Sequence, residues 1–75
     1  MIDIYTRNDC SFCSQAKAFM QKKNLPYTEH VVGRDLTREQ LIEKFPQMKT
    51  LPIILVDNQL IGGYINLVER YTGVK

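Results

Sequence analysis

The chain lacks most of the features that assign a protein to a class at first sight. Its 75 residues include two cysteines and one histidine, and its longest basic run is Lys22-Lys23. The formal net charge of +2 gives no electrostatic case for a nucleic-acid partner. The longest apolar run, residues 53–56, is far shorter than the roughly 20 residues that span a membrane as a helix. We therefore expect neither nucleic acid nor a membrane as a partner.

The chain also lacks repeats, low-complexity tracts and linkers. A chain of 75 residues has room for one domain, so residues 1–75 are assigned to a single domain. The first ten residues, MIDIYTRNDC, show no basic segment followed by an apolar stretch, which is the pattern of a secretory signal. We expect a cytoplasmic location, where a permanent structural disulfide is not favoured.

Strand patterns and helix patterns alternate in the first half. Residues 1–5 alternate apolar and polar side chains, as a strand with one buried face does. A helix is expected from about residue 10 to residue 23, stopped by Asn24-Leu25-Pro26. Residues 27–32 are the second strand candidate. One apolar stripe of helical period lies on the helix and consists of Phe12, Ala16, Phe19 and Met20.

The second half adds a short helix, a hairpin and a last helix. Thr37 and Gln40 match a capping box, which predicts a helix over residues 38–45 that Pro46 ends. Residues 53–56 predict a strand buried on both faces. A turn at Asp57-Asn58 leads into a return strand over residues 59–61, which Gly62-Gly63 breaks. The expected inward side chains are Leu41, Ile42 and Phe45 on the short helix, and Leu67, Val68 and Tyr71 on a last helix closed by Gly73.

The predicted order of elements is β-α-β-α-β-β-α. The first β-α-β unit should hold parallel strands joined by a right-handed crossover, and the hairpin should add two antiparallel strands. The fold class is therefore α/β, with a mixed four-stranded sheet flanked by helices.

Both cysteines lie in the sequence CSFC, Cys10 to Cys13. A disulfide between them would close almost the shortest possible loop and would stabilise the fold little. A structural zinc site needs four ligands, and besides this pair the chain offers only His30. His30 itself is expected to be an ordinary exposed or hydrogen-bonded strand residue. A redox pair, which needs only two thiols, is the favoured interpretation.

The expected start of the helix makes the two thiols unequal. Cys10 lies where unpaired N–H groups and the positive end of the helix dipole favour a thiolate. Cys13 lies one turn later on the same face, less solvated and within reach of Cys10. Arg7 adds positive charge just upstream, and Asp9 opposes it. Cys10 is therefore predicted to be the catalytic nucleophile and Cys13 the resolving thiol, as in thioredoxin-like proteins.

Three blocks of the sequence together resemble the glutaredoxins. They are residues 4–7 followed by CSFC, the sequence Lys49-Thr50-Leu51-Pro52, and Ile61-Gly62-Gly63 just before the last helix. The resemblance covers essentially the whole chain. It implies a thioredoxin-like fold and glutathione as the electron donor, with no bound cofactor.

The resemblance also implies a glutathione site. Pro52 is expected to be a cis-proline facing the cysteines, which leaves the backbone N–H and C=O of Leu51 to pair with glutathione. Gly62-Gly63 would let the backbone come close to the ligand, and the helix N-terminus that follows would bind a carboxylate. Arg7 matches the family's lysine before the motif, and Lys49 is a second candidate for the same task. The expected glutathione-binding residues are Arg7, Phe12, Lys49, Thr50, Leu51, Pro52, Gly63, Tyr64, Ile65 and Asn66.

Two departures from the family pattern keep an alternative open. Ser11 and Phe12 stand where many members have proline and tyrosine. Members with a small residue in place of that proline include some that hold an iron–sulfur cluster between two subunits through glutathione thiolates. An iron–sulfur carrier that uses Cys10 in a dimer is therefore the alternative function. The second departure is Tyr64-Ile65-Asn66, where members often have acidic residues that engage the glutathione amine.

The resemblance predicts a glutathione-dependent thiol–disulfide oxidoreductase. We expect a monomer that acts on disulfide-containing or glutathionylated proteins, with ribonucleotide reductase as a candidate electron acceptor. A further alternative is a glutaredoxin-like donor that thioredoxin reductase reduces, although Arg7 and Gly62-Gly63 favour glutathione.

Overall fold

The computed structural model describes residues 1–48 and 50–72, and these residues form four strands and three helices in the predicted order. The strands are β1 (Ile2–Thr6), β2 (Tyr27–Val31), β3 (Ile53–Val56) and β4 (Gln59–Gly62). The helices are α1 (Ser11–Lys22), α2 (Arg38–Lys44) and α3 (Tyr64–Thr72). The predicted helix end at Gly73 lies outside the described residues.

The sheet is mixed and has the order β2-β1-β3-β4. β1 runs parallel to β2 and antiparallel to β3, and β3 runs antiparallel to β4. Four strand ends differ by one residue from the prediction. β1 begins at Ile2 and ends at Thr6, one residue later at each end than predicted. β2 ends at Val31, and β4 continues through Gly62, which pairs with Ile54.

The side chains of the sheet enter two cores, one on each face. Alternate residues of a strand point to opposite faces, so Ile4 of β1 faces α1 and α3 while Tyr5 faces α2. The first core consists of Ile2, Ile4, Ala16, Met20, Ile54, Val56 and Leu67. The second consists of Tyr5, Leu41, Phe45 and Ile53.

Two residues expected in the core are exposed, so those two predictions are wrong. The Phe12 side chain is 54% exposed, although Cys13, the next residue in the first turn of α1, is buried. Its ring instead lies 6.1 Å from that of Tyr64. Ile42 is 51% exposed. α2 has seven residues and buries one narrow side, on which Leu41 lies.

The predicted turns have the backbone geometry that their residues favour. Asn24, just past α1, has φ 57°, and the Leu25 N–H donates to the Met20 carbonyl at 2.8 Å, as at a left-handed helix end. Asp57 and Asn58 have φ values of 51° and 66°, which is the pattern of a tight two-residue hairpin turn.

The sheet register brings distant parts of the sequence to one edge. Tyr5 of β1 lies opposite Ile53 of β3. Since these strands are antiparallel, the segment that follows β1 and the segment that precedes β3 emerge side by side. Cys10 and Leu51 therefore meet, although 41 residues separate them in sequence.

Candidate active site

Cys10 is the N-cap residue of α1, in extended conformation with φ −113° and ψ 111°. Its Sγ accepts the backbone N–H of Cys13 at 3.2 Å. The thiol also lies 3.7 Å from the Leu51 carbonyl oxygen, to which it donates. Cys10 is partly exposed. The predicted position of Cys10 at a helix N-terminus is confirmed, and the Cys13 N–H group there points at its sulfur.

Cys13 is the inaccessible member of the pair, with 1% of its surface exposed. Burial raises the pKa of the Cys13 thiol to about 12, and the hydrogen bond with Cys10 acts in the same direction. The backbone N–H of Arg7 and the charge of Lys17 act in the opposite direction, to a smaller extent. At neutral pH the Cys13 thiol is therefore protonated while Cys10 is the accessible sulfur, which is the inequality expected from the sequence.

The Leu51–Pro52 peptide bond is cis, as predicted. Pro52 is buried, while the Leu51 carbonyl faces the Cys10 thiol. An ideal Cβ on Gly63 would lie 3.4 Å from the Pro52 carbonyl oxygen. The two sequence blocks around Pro52 and Gly63 are thus adjacent, and Gly63 leaves little room for a side chain there.

The start of α3 is organised by Asn66. Its Oδ1 accepts the Gly63 N–H at 3.1 Å, which satisfies one of the N–H groups at the start of the helix. Gly62 has φ +120°, and a Cβ at this position would lie 2.5 Å from Asn66 Oδ1. Asn66 therefore stabilises the helix start through its oxygen, a role that the sequence interpretation did not assign to it.

A groove of about 570 Å³ lies beside Cys10. Five of the residues predicted for the site line it, namely Arg7, Cys10, Phe12, Thr50 and Leu51. Five other predicted residues do not line the groove, namely Pro52, Gly63, Tyr64, Ile65 and Asn66. Phe12, which lines the groove, lies next to Tyr64 and so connects the two groups of residues. The predicted residue Lys49 lies outside the described residues.

Sequence reasoning missed the wall that α2 adds to this groove. Arg38, Leu41 and Ile42 line it together with Met48. The exposed Ile42 thus borders the groove instead of the core. Arg38 brings a second guanidinium to a groove that already contains Arg7, whose own charge is 3.2 Å from the carboxylate of Asp9. The sequence feature that points toward Arg38 is the capping box at Thr37, because it fixes the start of α2 and places Arg38 in its first turn.

His30 lies away from the thiols, in the structural role that the sequence favoured. Its ring stacks on Tyr5 at 4.6 Å, and its Nε2 lies 3.1 Å from Asp3 Oδ1. Within residues 1–48 and 50–72 no three His, Cys, Asp or Glu side chains are grouped as a metal site would require. Ser11, on which the iron–sulfur alternative depends, is the exposed first residue of α1. That alternative stays an untested prediction.

The helices that the structure describes include none long and apolar enough to cross a membrane.

Comparisons with known proteins agree on the family. The Glutaredoxin family model matches residues 2–61. Glutaredoxin 1 of Rickettsia conorii is 38% identical over 64 residues, which cover 83% of this chain and 63% of that protein. Glutaredoxin 3 of Escherichia coli K12 is 35% identical over 63 residues, which cover 83% of this chain and 75% of that protein. The chain thus spans less than two thirds of the Rickettsia conorii relative.

Solved structures agree on the fold. Glutaredoxin 1 from Francisella tularensis superposes with a TM-score of 0.83 at 26% identity, over 97% of this chain and 93% of that one. The buckwheat glutaredoxin–glutathione complex superposes with a TM-score of 0.77 at 18% identity, over 97% of this chain and 70% of that one.

The fold and the cysteine pair at the start of α1 define a thioredoxin-like protein. Within that class, the chain belongs to the glutaredoxin family.

Proposed function

We propose that this chain is a glutathione-dependent thiol–disulfide oxidoreductase that reduces glutathione mixed disulfides and protein disulfides. The observation that carries the proposal is Cys10, a partly exposed thiol at a helix N-terminus, held between the Cys13 N–H and the Leu51 carbonyl at the side of a groove. Membership of the glutaredoxin family supports the same chemistry.

The exchange steps follow from the inequality of the two sulfurs. The Cys10 thiolate attacks the glutathionyl sulfur of a mixed disulfide, and the substrate thiolate leaves. A second glutathione thiolate then attacks the sulfur of the glutathione that is bonded to Cys10. This releases glutathione disulfide and restores the Cys10 thiolate. When the substrate is a protein disulfide, Cys13 instead attacks Cys10 and the reduced substrate leaves.

The proposed glutathione position uses both sides of Cys10. The Leu51 backbone pairs with the peptide-like part of glutathione, in the manner of an added strand. Arg7 and Arg38 line the groove and supply positive charge for one carboxylate. At the other end a carboxylate meets the start of α3. Because the Gly63 N–H already donates to Asn66, the N–H groups of Tyr64 and Ile65 are the proposed donors there.

The experiment is steady-state reduction of a glutathionylated peptide by glutathione, coupled to NADPH oxidation by glutathione reductase. Cys10→Ser should lower kcat/KM at least about a hundredfold, because no other thiol can reach the substrate. Cys13→Ser should retain most of the activity, since this route needs only Cys10. Full activity of the Cys10→Ser variant would contradict the proposal.

The identity of the reductant is tested separately. The Cys10–Cys13 disulfide form should be reduced rapidly by glutathione and slowly by thioredoxin reductase with NADPH. The reverse order would favour the alternative in which thioredoxin reductase supplies the electrons.

A further inference from the structure

A charged cluster lies on the inner side of α1, one turn beyond Cys13. Lys17 follows Cys13 by four residues, so the two side chains share one face of the helix. The Lys17 Nζ lies 2.9 Å from Glu29 Oε2 on β2. The hydroxyl of Thr6, at the end of β1, donates to the same carboxylate oxygen at 2.6 Å. Lys17 is therefore tethered to the sheet and not free to extend into solvent.

The strand register explains why these three groups converge. Glu29 lies opposite Ile4 in the parallel β1–β2 pair, so it points to the sheet face that α1 covers. Thr6, two residues after Ile4, points the same way and is 1% exposed. The hydroxyl thus holds Glu29 from the buried side, and Glu29 holds the Lys17 ammonium.

The cluster bears on a chemical difficulty of the dithiol route. The buried Cys13 must become a thiolate before it can attack the mixed disulfide on Cys10. Burial opposes ionisation by raising the pKa of Cys13 to about 12. The Lys17 charge lowers the pKa of Cys13, to a smaller extent than the Arg7 backbone N–H does, because a nearby cation stabilises the thiolate.

We propose that Lys17, held by Glu29 and Thr6, promotes the resolving step by stabilising the Cys13 thiolate as it attacks the mixed disulfide on Cys10. In this step Cys13 loses its proton to water, and its sulfur forms a bond with Cys10 Sγ. The bond between Cys10 and the substrate sulfur breaks, and the substrate leaves as a thiolate. The proposal rests on the dithiol half of the proposed function and does not depend on glutathione.

Several other groups face this region and are present equally in the variants compared below. Cys10 caps the start of α1, and the Arg7 backbone N–H faces Cys13. α3 presents two phenols to the adjoining core. A group on β2 raises the pKa of Lys17, and a group in the loop after β2 lowers the pKa of Glu29. These groups are Tyr64 and Tyr71 on α3, Tyr27 on β2 and Arg34 in the loop.

The test follows the two exchange steps in one stopped-flow trace. Reduced protein is mixed with 5,5′-dithiobis(2-nitrobenzoate), which contains no glutathione. Attack by Cys10 releases a first nitrothiobenzoate and leaves the second bonded to Cys10. Attack by Cys13 then expels the second. The first phase therefore reports Cys10 and the integrity of the fold, and the second reports the resolving step alone.

We expect Lys17→Gln to slow the second phase about three- to tenfold at pH 7, because the Cys13 thiolate loses a nearby cation, and to shift the pH profile of this phase to higher pH. The first phase should change less than about twofold. Lys17→Arg should restore the second phase because it retains the charge. Lys22→Gln, which removes a lysine from the last turn of the same helix, is the matched control.

A second phase in Lys17→Gln with the rate and pH profile of the wild type would overturn the proposal. Equal slowing in Lys22→Gln would also overturn it, because the effect would then come from net charge. Lys17→Met serves as a second neutral variant and should behave as Lys17→Gln does. Failure of glutathione to reduce the protein would leave this result unaffected.

Discussion

The backbone N–H of Cys13 donates to the Sγ of Cys10 at 3.2 Å. The same bond caps α1 and places the two sulfurs one helical turn apart, with Cys10 at the surface and Cys13 behind it. A single contact therefore links the start of the helix to the difference in exposure between the two thiols.

This difference predicts the order of alkylation. In the reduced protein at pH 7, iodoacetamide should modify Cys10 at least about a hundredfold faster than Cys13, because thiolates react and Cys13 is 1% exposed with a pKa of about 12. Peptide mass spectrometry after timed quenching measures both rates. In urea, where the fold is lost, the rates should converge. Similar rates in the folded protein would contradict the assignment of the two roles.

The α2 wall of the groove predicts a role for Arg38. If its guanidinium meets a carboxylate of glutathione, Arg38→Gln should raise the KM for glutathione about two- to fivefold, as expected for an exposed charge pair worth up to about 1 kcal/mol. The value of kcat should change little. Arg70→Gln removes the same charge from α3, away from the groove lining, and is the control. An equal rise in KM for both variants would show that the effect comes from the net charge of the protein and not from the position of Arg38.

The sequence predicted the order of elements well because each element carries a local pattern. The capping box at Thr37, the turn at Asp57-Asn58 and the apolar run of β3 each depend only on neighbouring residues. The cis form of Pro52 could be expected only through the family resemblance.

The parts that the sequence did not reveal depend on contacts between distant segments. The helical period alone does not determine which side of the seven-residue α2 is buried, and the sequence therefore places Ile42 in the core. Phe12 fits the stripe of α1 by spacing, but in the first turn of the helix the buried residue is Cys13. Arg38 joins the groove only because α2 lies beside the segment before β3, and no spacing in the sequence reports that.

Of the glycines within residues 1–48 and 50–72, the two with positive φ form a matched pair for a stability prediction. Gly62 has φ +120° and Gly33 has φ +95°, so alanine strains the backbone at both positions. At Gly33 nothing lies within 4 Å of the new Cβ, while at Gly62 the Asn66 amide lies 2.5 Å away. Gly33→Ala should lower the free energy of unfolding by about 1 kcal/mol, and Gly62→Ala by clearly more. Urea unfolding monitored by circular dichroism compares the two variants. Equal losses of unfolding free energy would show that the Asn66 side chain moves away from the new Cβ without lowering stability.

The hydrogen bond from Thr6 to Glu29 predicts a pH-dependent contribution to stability. The pKa of the Glu29 carboxyl is lowered chiefly by this bond and next by the bond from Lys17. A carboxyl whose pKa is lower in the folded than in the unfolded protein stabilises the fold above its unfolded value, about 4.3 for glutamate, and loses that contribution as the pH falls. Thr6→Val removes the hydroxyl and nearly preserves the volume.

The free energy of unfolding of Thr6→Val should therefore lie about 1–3 kcal/mol below that of the wild type at pH 7. The difference should shrink as the pH falls below about 4, where the wild type also loses its carboxylate. Urea unfolding at pH 3 and pH 7 measures it. Thr28→Val makes the same chemical change at an exposed position on β2 and should show a small difference that does not vary with pH. A Thr6→Val difference that is constant from pH 3 to pH 7 would mean that the hydroxyl contributes through packing and not through the Glu29 charge.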